Sequence, residues 1–226
     1  MYDLAGAEPE RRFSPYCWRI RLALVHKGLA VETVPWRFTE KGVIAFSGQD
    51  RVPVLIDSGE TIAGSWKIAK HLEEKYYERP SLFGGAIPMA LTRFVESWND
   101  SVVQAGMVRL ILADVFACIH EKDRTYFRES REKRLGMTIE QACAGREERV
   151  ASFRASLEPL RTTLKSQPFV AGESPNYADY IVFGSFMWAR NTSPFQLLNP
   201  DDPISGWRKR MLERFDVARN SPGYDA

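Results

Sequence analysis

Three short polar segments constrain the fold of this chain more than any other feature. Phe13-Ser14-Pro15-Tyr16-Cys17-Trp18-Arg19-Ile20-Arg21 sets a serine before a proline, then an apolar run that ends at His26-Lys27-Gly28. Proline is favoured in the first helical turn and glycine just past the last. This pattern predicts a helix from about Pro15 to Lys27, with Ser14 at its mouth, where unpaired N–H groups and the helix dipole favour an anion. Arg51-Val52-Pro53-Val54-Leu55 reads as a strand led by a proline, and Gly64-Ser65-Trp66 opens a second helix. Three polar sites on one small α/β unit describe a receptor for a small anionic ligand.

The flanking pattern supplies the rest of that unit. Residues 2–4 make a short first strand, and the β-branched alternation of Val31 to Trp36 a second. Residues 39–48 are irregular or a short helix. Val54-Leu55-Ile56, the turn Asp57-Ser58-Gly59-Glu60 and Thr61-Ile62-Ala63 form a hairpin. Ser65 caps a helix that carries Trp66, Ala69, Leu72 and Tyr76 on one face. The order β-α-β-(α)-β-β-α is that of a thioredoxin-like domain. Arg79-Pro80-Ser81-Leu82-Phe83-Gly84-Gly85 breaks the chain, and the residues beyond this break lack strand alternation. A helical pattern runs from near Ile87 through Trp98 and Met107 to about Cys118. Val150, Phe153, Leu157, Leu160 and Leu164 form a stripe that Pro159 should kink, and Ile204 to Val217 gives a last helix. The expected organisation is a thioredoxin-like α/β domain over 1–80, a linker over 81–86 and an all-α bundle over 87–226.

Charge excludes one class of partner. Lys plus Arg against Asp plus Glu is 12 to 11 over residues 1–80 and 19 to 18 over 81–226, so neither part has the basic excess of a nucleic-acid binder. Arg128, Arg131, Lys133 and Arg134 alternate with Glu129 and Glu132 and read as a solvated helix face. No stretch approaches the roughly 20 apolar residues of a membrane span, and the N-terminus lacks a signal-peptide pattern. Cys17, Cys118 and Cys143 are odd in number and far apart, which argues against a disulfide framework and for a reducing cytoplasm. His26, His71 and His120 are scattered, so no metal site is expected.

Taken together, Ser14-Pro15-Tyr16, Val52-Pro53 and Ser65, joined by Phe169-Val170-Ala171-Gly172 and Asn176-Tyr177-Ala178-Asp179, resemble the glutathione transferase superfamily. Ser14-Pro15-x-x-Trp18-Arg19, Ser65-Trp66 and Glu158-Pro159 look most like its etherase-like class, bacterial β-etherases and fungal relatives that cleave lignin-type aryl ethers. The resemblance implies glutathione as co-substrate, with Ser14 as the catalytic hydroxyl. It implies a cis Val52–Pro53 bond that turns the Val52 backbone outward to pair with the cysteinyl backbone of glutathione, and Gly64-Ser65 at the γ-glutamyl end. Gly64 stands where many members carry an acidic residue, which leaves the glutamyl amino group without its usual partner. Arg37, Lys41 and Arg51 are each near enough in the chain to meet the glycyl carboxylate. Phe13, Tyr16 and Met107 are candidates for the electrophile pocket, and Trp18, Trp36 and Phe38 for core or dimer surface.

Two sites carry structural readings. Cys17 lies one turn into the helix, where thiol pKa values fall, but it sits three positions after Ser14 with no second cysteine near, so it reads as packed. Asn176 and Asp179 have capping-box spacing, and the resemblance makes them the family's N-capping motif, serving folding. The functional expectation is a cytoplasmic, homodimeric glutathione transferase acting on a small hydrophobic electrophile, including β-aryl ether cleavage, without metal, nucleic acid or membrane. Its rivals are a zeta-like isomerase, whose Ser-Ser-Cys signature is here Ser14-Pro15-Tyr16, and a non-catalytic ligand carrier on the same fold.

Overall fold

The computed structural model describes residues 1–224. Its first part is a four-stranded sheet in the order β2-β1-β3-β4, made of β1 (Tyr2–Leu4), β2 (Val34–Trp36), β3 (Val54–Asp57) and β4 (Glu60–Ala63). β1 and β2 run parallel, and β3 is antiparallel to both β1 and β4. β2 is shorter than Val31–Trp36 because β1 offers it only three partners, from Tyr2↔Val34 to Leu4↔Trp36. Its Pro35 is tolerated because β2 is an edge strand. The β3–β4 turn is Ser58-Gly59 with φ of 54° and 85°, the positive values that a two-residue hairpin loop requires. Helices α1 (Pro15–His26) and α2 (Ser65–Lys75) complete the unit, with a 3₁₀ turn over Lys41–Ser47.

From Ala86 onward the described chain is helical. α3 (Ala86–Trp98) and α4 (Ala105–Cys118) form one continuous rod joined by a π-helical turn over Asn99–Gln104. The rod corrects the expectation that nothing approaches a membrane span. An 18-residue window of it has a mean hydropathy of 1.6, apolar and long enough to cross a bilayer. Val103, Met107, Leu110, Ile111, Leu112 and Val115 of the rod are packed inside the protein.

The remaining helices are α5 (Arg124–Leu135), α6 (Ile139–Cys143), α7 (Arg146–Ser156), α8 (Glu158–Ser166), α9 (Tyr177–Thr192), α10 (Pro203–Arg214) and α11 (Asp216–Arg219). The stripe from Val150 to Leu164 is buried throughout. Pro159 does not kink one helix, however. The chain breaks at Leu157, and the proline sits in the first turn of α8, where its missing N–H costs nothing. The last expected helix likewise divides at Phe215.

α9 is the central strut. Almost every side chain along it is buried, and it packs lengthwise on α1. Gly184 permits that approach, since a Cβ there would lie 2.5 Å from the Pro15 carbonyl oxygen. Asn176 and Asp179 form the expected capping box. The Asp179 carboxylate also accepts from the N–H groups of Val170 and Ala171 and from Trp207 Nε1, at 2.8, 3.1 and 2.9 Å. One buried acid thereby ties α9 to the Phe169–Gly172 turn and to α10.

The α/β unit is fixed to the bundle by buried polar bonds. Arg19, fully buried on α1, donates to Glu96 Oε1 at 2.9 Å and approaches Asp100 at 3.5 Å. The N–H groups of Phe38 and Thr39 donate to the buried Asp123 carboxylate at 3.1 and 3.0 Å. The Tyr177 hydroxyl donates to the Ser65 carbonyl at 3.2 Å.

Candidate active site

Strand topology gathers the three polar segments at one end of the sheet. The antiparallel register Tyr2↔Val54, carried two residues further, sets Val52 beside Leu4. The Phe13 N–H donates to the Leu4 carbonyl at 3.3 Å, which brings Ser14 to the same end. β4 returns to that end too, because Ala63 pairs with Val54 and the Gly64 N–H donates to the Pro53 carbonyl at 3.0 Å. The Val52–Pro53 bond is cis. No backbone hydrogen bond ties Val52 to the rest of the described chain, so its peptide groups are open to a ligand strand.

Ser14 is the N-cap of α1, and its Oγ accepts from the Cys17 N–H at 3.3 Å. A hydroxyl that accepts in this way keeps its own proton to donate. The residue is 5 % exposed, and it lines a cavity of about 370 Å³ between the α/β unit and helices α4 and α5. Phe13, Tyr16, Arg51 and Val52 line the same cavity. Lys41 lies in an adjoining open depression that shares Arg51, and its ammonium pairs with Asp50 at 3.3 Å. Arg37 is committed elsewhere, donating to the carbonyls of Gly6 and Ala7 at 3.1 and 3.2 Å. Of the three basic candidates, Lys41 and Arg51 therefore remain beside the cavity.

Two expectations about the α2 start and the pocket are corrected. The cap of α2 is Gly64, with φ of 92°, and Ser65 is the first helical residue. The helix turns in through a conformation that glycine adopts without strain, so Ser65 is not needed as a cap. The residue is only 7 % exposed, and its hydroxyl lies within hydrogen-bonding reach of the buried Tyr177 phenol. Met107 does not reach the pocket. It is fully buried in the core, and its helix neighbours Gln104 and Val108 line the cavity in its place. A single helical position rotates a side chain by about 100°, enough to exchange pocket for core.

The thiol and the phenol nearest Ser14 are disfavoured as nucleophiles by their surroundings. Burial pushes the Cys17 thiol well above its ordinary pKa, and the residue is fully enclosed. Burial and then the Asp100 carboxylate raise the Tyr16 phenol, whose hydroxyl donates to Asp100 at 3.3 Å. Asp100 sits on the π-helical turn, a local expansion of the kind often found at functional sites.

Sequence reasoning missed the far wall of the cavity. Phe38, expected in core or dimer surface, lines it together with Tyr126, Phe127 and Trp188. The basic cluster of α5 is not uniformly solvated either. Arg128 pairs with Glu132 and Glu140 as expected of a solvated face, whereas Arg131 turns inward and lies 4.9 and 4.3 Å from the ring centres of Phe38 and Phe127. The i, i+4 spacing of Phe127 and Arg131 was the available signal. Among the described residues no cluster of three potential metal ligands exists.

A β-α-β-β-β-α unit with a cis proline opening β3, a serine at the first helix and an all-helical second part defines the glutathione transferase fold. The N-terminal domain model of glutathione S-transferase matches residues 9–80 and the C-terminal domain model residues 90–216, so the chain belongs to the glutathione S-transferase family. Solved structures agree in fold. Glutathione transferase GSTFuA3 from Phanerochaete chrysosporium superposes with a TM-score of 0.81 at 21% identity, covering 96% of this chain and 95% of that one. The glutathione S-transferase CsGST63524 of Ceriporiopsis subvermispora, solved in complex with glutathione, gives 0.79 at 22%, covering 100% and 98%. Gtt2 from Saccharomyces cerevisiae gives 0.61 at 18%, covering 97% and 99%.

Proposed function

We propose that the protein is a glutathione transferase that activates the glutathione thiol at Ser14 and directs it at an electrophile held in the cavity between the α/β unit and the α4–α5 wall. The observation that carries this is the Ser14 hydroxyl, which accepts from Cys17 N–H at the start of α1 and lines the cavity. A free thiol with pKa near ~8.5 is only about 3% thiolate at pH 7. Lowering it by about two units requires roughly 2.7 kcal/mol. A helix N-terminus supplies up to ~2 kcal/mol, and a charge-assisted hydrogen bond roughly 1.5–3. No general base is needed.

In this reading the backbone of Val52 and the start of α2 at Ser65 hold the peptide of glutathione, and Lys41 and Arg51 face its glycyl carboxylate. The etherase-like motif and the aromatic lining support a β-aryl ether as electrophile. The thiolate attacks the carbon bearing the aryloxy group, a C–S bond forms, the C–O bond breaks, and the aryloxide leaves with the bonding pair and takes a proton from solvent. A homodimer is supported by Ile87, Leu91 and Phe94, at i, i+4 and i+7 on α3, which are 77%, 64% and 74% exposed. Three free cysteines support a reducing compartment such as the cytoplasm.

The test combines glutathione conjugation over a panel of halogenated nitroarenes, phenol release from a β-aryl ether ketone, and a titration of glutathione binding. Conjugation with phenol release is expected. Conjugation alone would reduce the reading to a general transferase, and binding without any turnover would replace it with a carrier.

A further inference from the structure

We infer that the electrophile this cavity selects is an anionic aromatic compound, whose acidic group is met by Arg131 of α5. The inference rests on the transferase reading and specifies the substrate class of the same site.

Arg131 lies in the cavity wall with its guanidinium carbon 4.9 and 4.3 Å from the ring centres of Phe38 and Phe127. Among the described residues it has no ion pair. Its polar neighbours are the Ser130 hydroxyl, 2.8 Å away, and the Tyr126 phenol. Burial is the largest influence on this cation and lowers its pKa, and the neighbouring positive charges of Arg134 and Arg51 lower it further. A partly buried cation held among other cations lacks a counter-charge, which a bound anion would supply.

The other charges around the cavity do not provide one. Arg134 lines it without an ion pair among the described residues. Asp50 also lines it, but its carboxylate is engaged by Lys41 at 3.3 Å and Arg51 at 3.6 Å. Three guanidinium groups thus face one compensated carboxylate, over a floor of aromatic rings. The two rings confine the Arg131 side chain, and with Nη1 donating to Ser130 the guanidinium fork keeps its other N–H donors for a carboxylate. An aromatic ring bearing a carboxylate fits both features, with its ring on the aromatic wall and its acid on the fork.

The alternative source of the same anion is glutathione's own glycyl carboxylate, and a matched pair of electrophiles separates the two. 4-Chloro-3,5-dinitrobenzoate and 4-chloro-3,5-dinitrobenzamide react by the same aromatic substitution, and each rate is divided by that of its uncatalysed reaction with glutathione because the amide withdraws electrons more strongly than the carboxylate. The thiolate attacks the carbon bearing chlorine, the C–S bond forms, the C–Cl bond breaks, chloride leaves with the bonding pair, and the thiol proton passes to solvent. The expected result is a kcat/KM at least about tenfold higher for the benzoate, from the usual size of a hydrogen bond to a charged group. The preference should fall to near unity in Arg131→Gln and be partly restored in Arg131→Lys. Equal use of the two compounds by the unaltered enzyme would overturn the inference and leave the transferase reading standing. So would a rise in the KM of glutathione in Arg131→Gln with the benzoate preference intact, which would assign Arg131 to the glycyl carboxylate. Turnover of neither compound by an enzyme that conjugates other nitroarenes or releases phenol from the β-aryl ether ketone would overturn the inference alone.

Discussion

The two walls of the cleft are built by different means. The wall from the α/β unit consists of chain ends and backbone: the cap of α1 at Ser14, the peptide beside the cis proline at Val52 and the turn into α2 at Gly64-Ser65. The wall from α4 and α5 consists of side chains on regular helices, with Val108, Tyr126 and Arg131 projecting into the space. Backbone groups are placed by strand register and helix termini, which local sequence dictates. Side chains on a helix are placed by its rotation about its own axis, which only packing decides. The first wall therefore suits a constant co-substrate, and the second can change its partner without disturbing the first.

The largest expected effect attacks the support under both walls. Asp179 is fully buried and accepts from Val170, Ala171, Asn176 and Trp207. Replacing it by alanine leaves these donors unpaired and should destabilise the protein by about 3–5 kcal/mol, since each buried donor left unsatisfied costs about 1–3 kcal/mol, read by chemical denaturation. Burial, opposed by its four donors, raises the carboxyl pKa to about 6. A raised carboxylate pKa means that the folded state disfavours the charge. This penalty is absent below the ordinary value near 3.8, grows as pH rises toward 6 and is constant above it. The shift of about two units corresponds to roughly 3 kcal/mol. Asp179→Asn, which does not titrate, should therefore compare worst with the wild type near pH 4 and best at pH 7. A constant difference between the two would exclude a raised pKa.

A second pair of variants bears directly on the difference between the walls. Met107 and Val108 are sequence neighbours on α4, one in the core and one in the cavity. Met107→Ala should lower stability by about 2–5 kcal/mol and leave the choice of electrophile alone. Val108→Ala should change the KM for electrophiles, leave that for glutathione nearly constant, and cost less stability. If Val108→Ala instead weakened glutathione binding, the two walls would not be separable.

The same pair shows why one wall was legible in the sequence and the other was not. Ser14-Pro15, Val52-Pro53 and Gly64-Ser65 announce themselves through residues whose backbone preferences are strong, so both the fold and this half of the site can be read locally. Even there, Ser65 and Gly64 exchange roles by one position, because a glycine at positive φ closes the helix start as well as a serine side chain does. Met107 was misplaced because a uniformly apolar helix gives no phase, and α4 is apolar on nearly every side. Arg131 was hidden in a charge pattern that looks solvated, since Phe127 one turn earlier on α5 gives only a weak local signal and the second ring, Phe38, comes from the distant α/β unit.

The smallest expected effect in energy tests the chemistry of the first wall. If the Ser14 hydroxyl donates to the thiolate, Ser14→Ala should leave glutathione bound through Val52 and Ser65 while raising the pKa of its thiol. The loss of one hydrogen bond to a charged group moves the acid limb of the kcat/KM profile upward by about a pH unit or more. The direction follows from which form is stabilised: the donor favours the thiolate, so its removal favours the thiol and shifts the limb to higher pH. Alanine also removes the cap accepted from Cys17 N–H, which costs about 0.5–2 kcal/mol of stability, so a lower rate alone would not separate the two roles. Ser14→Thr keeps both the cap and the donor and should restore the profile. Asn at the same position keeps a good cap with an amide donor in another place, and should restore stability without restoring the pKa. Ultraviolet thiolate absorbance of the glutathione complex, titrated in each variant, reads that pKa without reference to turnover. Coincident titration curves for Ser14 and Ala would mean that the bare N–H groups of α1 and its dipole hold the thiolate, and that the serine serves the helix alone.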